Sequence, residues 1–119
     1  MEFIEAPLFT ELLADYLDDD AYGELQLHLA RDPHAGDVIP GTGGFRKFRW
    51  VDRRRHKGKR GGIRVIYYYL MSDEQIWLMT LYDKNTAADL SAAEKRVLKA
   101  AIDSETRERA SRLARRRKQ

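Results

Sequence analysis

The sequence predicts an α+β domain in which an N-terminal strand and a two-helix hairpin pack on an antiparallel sheet of about four strands, followed by a C-terminal helix. Three observations carry this reading. Apolar residues recur at helical spacing through Leu8, Phe9, Leu12, Leu13, Tyr16 and Leu17 and again at Tyr22, Leu25 and Leu29. Residues 45–50 alternate, and two β-prone runs, IRVIYYYL and IWLMTLY, follow within reach of one another. Lastly, Ser91-x-x-Glu94 has the form of a capping box ahead of Val97, Leu98, Ala101 and Ile102.

Each element has a local cause. Phe3 to Glu5 reads as a short opening strand, and Pro7 suits the first turn of a helix, where its missing N–H costs nothing. Asp18-Asp19-Asp20 ends that helix and supplies an N-cap with favourable charge for the next. Asp32-Pro33 stops the second helix, because the residue before a proline is pushed out of the helical region. His34 to Gly44 reads as a loop from its glycines and prolines. The glycines there read as a tight turn into the sheet ahead of a phosphate-cradling loop, since no Gly-Lys-Ser/Thr follows and a strand comes next. In the alternating strand Phe48 and Trp50 should face the core, which leaves Lys47 and Arg49 side by side on the other surface. Ile63 to Leu70 is apolar on both faces, as a central strand should be, and Met71 to Gln75 turns into the last strand. Tyr67, Tyr68 and Tyr69 read as core or cross-strand packing ahead of base stacking.

At 119 residues the chain holds one core, with residues 1–103 as the domain and residues 104–119 as a basic helical extension or disordered tail. The absence of cysteine excludes a disulfide framework and a thiolate metal site. No apolar run approaches membrane-spanning length, and the N-terminus carries acids where a secretion signal carries cations, so a cytoplasmic protein without membrane contact is expected.

The net charge of +3 hides a sharp division. Through Gly43 the only Lys or Arg is Arg31, set against ten acids, whereas from Gly44 to Arg64 the sole acid is Asp52. Solvated surface charge accounts for a mixed distribution far better than for this segregated one. Arg46, Lys47, Arg49, Arg64 and the loop cations Arg53, Arg54, Arg55, Lys57, Lys59 and Arg60 form a patch suited to a polyanion. Arg46 is expected to pair with acids of the helical hairpin.

The order of elements, with GDVIPGTGGFRKFR, then GKRGGIRVIYYYL, then LYDKN, resembles the RelE/ParE superfamily of bacterial toxins over about residues 1–103, and most of all its HigB branch. The resemblance implies a RelE-like fold and a ribosome-dependent endoribonuclease that cuts mRNA in the ribosomal A site, with no cofactor. It also implies a cognate helix-turn-helix antitoxin through which alone the protein would meet operator DNA. Lys47 and Arg49 match the family's paired cations, Arg64 the arginine that opens the next strand, and Lys84 a basic residue after the last. Unlike some relatives, the C-terminal helix carries no histidine or tyrosine, and the arginine-rich tail extends beyond the family's usual end.

Cleaving RNA through its own 2′-hydroxyl needs a base, cations for the phosphorane charge and an acid for the leaving oxygen. Crowding by Arg49 and Arg64 disfavours a further positive charge, which suits Lys47 to the role of base. The planar fork of Arg64 suits charge stabilisation. Tyr82 is a candidate acid or base stacker. Of the histidines, His28 and His34 read as structural, and His56 sits in the basic loop where its ordinary range would suit proton transfer. The loop and tail cations fit ribosomal RNA backbone. Two other functions fit the same charges: a ParE-like inhibitor of DNA gyrase, and a non-catalytic RNA- or ribosome-binding module.

Overall fold

The structure, a computed structural model, describes residues 1–50, 62–83 and 90–117. Its elements run β1 (Glu2–Glu5), α1 (Pro7–Tyr16), α2 (Asp19–Arg31), β2 (Asp37–Val38), β3 (Arg46–Trp50), β4 (Ile63–Leu70), a 3₁₀ turn at Met71–Asp73, β5 (Gln75–Asp83) and α3 (Ala92–Arg117). The protein is α+β, as the sequence pattern predicts. The strands form one five-stranded sheet in the order β1-β5-β4-β3-β2.

Two features refine the expected antiparallel sheet. β1 lies parallel to β5, with Glu2 beside Gln75 and Glu5 beside Leu78, while the remaining pairs are antiparallel. The segment read as an uninterrupted loop also contributes β2, which pairs Asp37 with Lys47 and Val38 with Arg46. Gly36 makes that edge accessible: a Cβ there would lie 2.9 Å from the Lys47 carbonyl oxygen and 3.0 Å from the Tyr67 ring, so only glycine lets the backbones approach.

The chain forms two compact units, one of Met1–Ile39 with the strands that follow Phe45, the other of Pro40–Gly44 with α3. In the first, the helices cover one face of the sheet. Phe9, Leu17, Ala21, Leu25 and Leu29 meet Ile63, Val65, Tyr67, Ile76, Leu78 and Leu81, with Phe48 and Trp50 packed against that cluster. Pro7 occupies the first turn of α1, and the Asp18 carboxylate caps α2 by accepting from the Ala21 N–H at 2.7 Å. Glu5 ties β1 to both helices, accepting from the Thr10 hydroxyl and from the Tyr22 hydroxyl, each at 2.7 Å. Arg46 does not pair with hairpin acids as expected. Its guanidinium donates to the Gly36 carbonyl at 2.7 Å and reaches the His34 carbonyl at 3.4 Å, both in the segment that leads into β2 beside Arg46.

In the second unit Ser91 and Glu94 form the capping box reciprocally. The Glu94 N–H donates to the Ser91 hydroxyl at 3.1 Å, and the Ser91 N–H donates to the Glu94 carboxylate at 2.9 Å. Those bonds hold the Glu94 carboxyl below the usual carboxylate range. Gly43 turns into its loop with φ +77°, and a Cβ there would sit 3.3 Å from the Ile102 side chain. The apolar stripe of α3 is narrower than its sequence suggests. Leu98 and Ile102 are buried, whereas Val97 is 69% exposed. Beyond Ile102 the helix continues without a break to Arg117.

Two phenols carry a pH dependence. Burial, reinforced by the hydrogen bond to Glu5, raises Tyr22 well above the ordinary tyrosine value; burial also raises Tyr67, against the opposing bond from the Gly36 N–H. A phenol with a raised folded pKa stays neutral in the fold while the unfolded chain ionises. The stability it contributes is therefore complete below about pH 10 and declines as pH rises from there toward the folded value. Thermal unfolding followed between neutral and strongly alkaline pH should show this loss, and Tyr22→Phe should flatten it.

Candidate active site

β3 presents Lys47 and Arg49 on the face opposite the helices, since Phe48 and Trp50 face the core between and beyond them. Register then decides what joins them. Arg49 lies directly across from Arg64 on β4, and Arg64 lies directly across from Tyr82 on β5. Directly opposed side chains have Cβ atoms roughly 5 Å apart, and diagonal neighbours such as Lys47 and Arg64 about 7 to 8 Å apart. Three cations and a phenol thus share one end of one sheet face. Arg49 is exposed and the other three are half-buried.

The β4–β5 pair reaches this arrangement through a bulge. Near the turn the register pairs Leu70 with Gln75 and Tyr67 with Leu78, but Ile66 pairs with Thr80, so Met79 is the extra residue. Without it, Arg64 would oppose Leu81, and Tyr82 would fall on the core face. One inserted residue re-aims the second half of β5, burying Leu81 and delivering Tyr82 to the cations.

A like-charge pair directly across an antiparallel ladder is unfavourable by itself, and the register sets Arg49 opposite Arg64. An anion bound between them would reverse the sign of that interaction, and two arginine forks can hold several oxygens of one phosphate group. Lys47 has different surroundings: β2 sets the carboxylate-bearing Asp37 directly opposite it, an acid that the pattern of cations in the sequence conceals. Further along the same face the character turns aromatic and apolar. Phe45 and Ile66 are buried, and the Phe45 and Tyr68 rings meet edge to face at 5.2 Å.

The other predicted residues are distributed as follows. Tyr67 belongs wholly to the core, Tyr68 packs on Phe45, and Tyr69 meets the His34 ring at 5.2 Å. His28 lies against Phe48 and Trp50 at 5.0 and 5.9 Å, so both described histidines sit in aromatic contacts. Lys84 and the loop residues Arg53, Arg54, Arg55, His56, Lys57, Lys59 and Arg60 lie outside the described residues. Asp37 is the residue that sequence reasoning missed at this site; its signal was an acid next to a β-branched residue just ahead of the glycine-rich turn.

Among the described residues no group of three His, Cys, Asp or Glu side chains is placed to hold a metal ion, and no helix is long and apolar enough to cross a membrane. A cleft of about 370 Å³ opens between α1 and α2, edged by Asp18 and Asp19 and floored by Leu13 and Leu17. It contains none of the candidate site residues. No protein-family model matches this sequence.

Proposed function

We propose that this chain is the toxin of a type II toxin–antitoxin system, a ribosome-dependent endoribonuclease that cuts mRNA in the ribosomal A site within the cytoplasm. The observation that supports this most is the register that gathers Lys47, Arg49, Arg64 and Tyr82 at one end of one sheet face. The sequence resemblance supplies the substrate and the antitoxin partner.

The chemistry is a transesterification within the RNA. The 2′-oxygen gives its proton to a base and bonds to the adjacent phosphorus. The bond from phosphorus to the 5′-oxygen breaks, and that oxygen takes a proton, leaving a 2′,3′-cyclic phosphate and a 5′-hydroxyl. Arg64 and Arg49 hold the non-bridging oxygens as negative charge builds on them. Lys47 would take the first proton, and Tyr82, across from Arg64 and with its hydroxyl buried, would give the second or stack on a base. Orientation of the message by the ribosome would remove roughly 7 to 11 kcal/mol of barrier, so the protein alone should be a poor nuclease.

Primer extension on messages after brief expression tests the proposal. Breaks confined to translated codons, and cleavage by the purified protein only when ribosomes are present, are the expected result. Intact messages accompanied by DNA damage would replace it with gyrase inhibition. Growth arrest with intact RNA and intact DNA would leave a ribosome-binding module.

A further inference from the structure

Beyond Ile102 the side chains of α3 no longer pack into a core. None of residues 103–117 is buried, and Leu113, the one large apolar side chain among them, is half exposed. The helix nevertheless persists to Arg117. Its acids are committed early. The Glu105 carboxylate accepts from Arg109 at 3.0 Å and lies 3.5 Å from Arg112, and Asp103 pairs with Lys99 at 3.5 Å. After Glu108 there is no acid, and Arg112, Arg115, Arg116 and Arg117 follow.

The directions of these arginines matter more than their number. At 3.6 residues per turn, Arg109, Arg112 and Arg116 fall within one sixth of the circumference, Arg107 lies nearly opposite them, and Arg115 and Arg117 point to either side. A helix that lies on a membrane needs an apolar face, which this one lacks. A partner protein surface meets one face of a helix and would leave the remaining cations without a use. A groove walled by two phosphate strands surrounds a helix, and every direction then finds an anion.

We infer that residues 103–117 of α3 form a docking arm that inserts between the phosphate backbones of base-paired RNA where a bulge opens its otherwise narrow deep groove, in addition to the Lys47–Arg49–Arg64 site. The choice of RNA over DNA rests on the function proposed above; the insertion between paired strands rests on the helix alone. Such contacts position the protein without reading sequence.

The test uses the purified full chain, an RNA hairpin whose paired stem carries an internal bulge, a single-stranded RNA of equal length and a DNA duplex of the same stem sequence. Binding is measured against salt concentration. The variant combines Arg115→Gln, Arg116→Gln and Arg117→Gln, glutamine being nearly as good a helix former as arginine, so that far-UV circular dichroism should be unchanged. The full chain should prefer the hairpin to the single strand, and the variant should lower the slope of log affinity against log salt by roughly 2 to 3. Equal affinity for single-stranded RNA, a variant slope equal to the parent's, or preference for the DNA duplex would overturn the inference. Ribosome-dependent cleavage, measured in parallel, separates the two readings. Cleavage without hairpin binding removes the arm and leaves the nuclease; hairpin binding without cleavage does the reverse.

Discussion

Replacing Arg64 with alanine is expected to abolish ribosome-dependent cleavage, lowering its rate by roughly 100- to 1,000-fold, the usual effect of removing one donor aimed at developing charge. Arg64 is the shared neighbour in the cluster, opposed by Arg49 on one side and by Tyr82 on the other. Its removal therefore leaves no fork in the central position. The fold should tolerate the change, since the side chain is half-buried on the face away from the main core and alanine also relieves the like-charge pairing with Arg49. Arg64→Lys should restore only part of the rate, because an ammonium keeps the charge but cannot present two parallel donors to one phosphate. Single-turnover cleavage on programmed ribosomes, with thermal unfolding as control, makes the check. Full activity in a stably folded Arg64→Ala protein would end the catalytic reading of the cluster.

How much of this site could be seen beforehand depends on which rule governs each residue. Alternation alone put Lys47 and Arg49 on one surface and Phe48 and Trp50 on the other, because the two-residue period of a strand is local. The caps at Asp18 and Ser91, the proline at the start of α1 and both ends of β4 were legible for the same reason. Register is not local. That Tyr82 rather than Leu81 faces Arg64 depends on the bulge at Met79, and nothing in the run IWLMTLY marks where an extra residue is absorbed. The parallel docking of β1 on β5 joins residues more than seventy positions apart, and an opening strand of four residues carries no sign of its partner. β2 escaped because two paired residues among prolines and glycines look like loop, and with it went Asp37 and the true partners of Arg46. Val97 was misplaced because a spacing of three or four residues marks a face without fixing its width.

Those non-local pairings converge on Tyr67, and there the largest loss of stability is expected. The residue is completely buried, and its hydroxyl serves two backbone groups more than thirty positions away, donating to the Pro33 carbonyl at 2.7 Å and accepting from the buried Gly36 N–H at 2.9 Å. Tyr67→Phe keeps the ring and strands both groups. At about 1 to 3 kcal/mol for the buried Gly36 N–H left unsatisfied, and less for the part-buried Pro33 carbonyl, the cost should be roughly 2 to 4 kcal/mol, a large part of the stability of a small domain. Tyr67→Ala adds a ring-sized cavity and should cost several kcal/mol more. Tyr68→Phe, on a half-buried ring whose described contact is with Phe45, should change little. The effect should also be directional. Gly36 leads straight into β2, so losing its anchor loosens the pairing of Asp37 with Lys47 and of Val38 with Arg46, and activity should fall further than global unfolding explains. Urea unfolding measures the first effect, and hydrogen exchange at the Gly36 amide measures the second. A Tyr67→Phe protein with parental stability and a still-protected Gly36 amide would show that the hydroxyl is incidental and that β2 is held by its ladder alone.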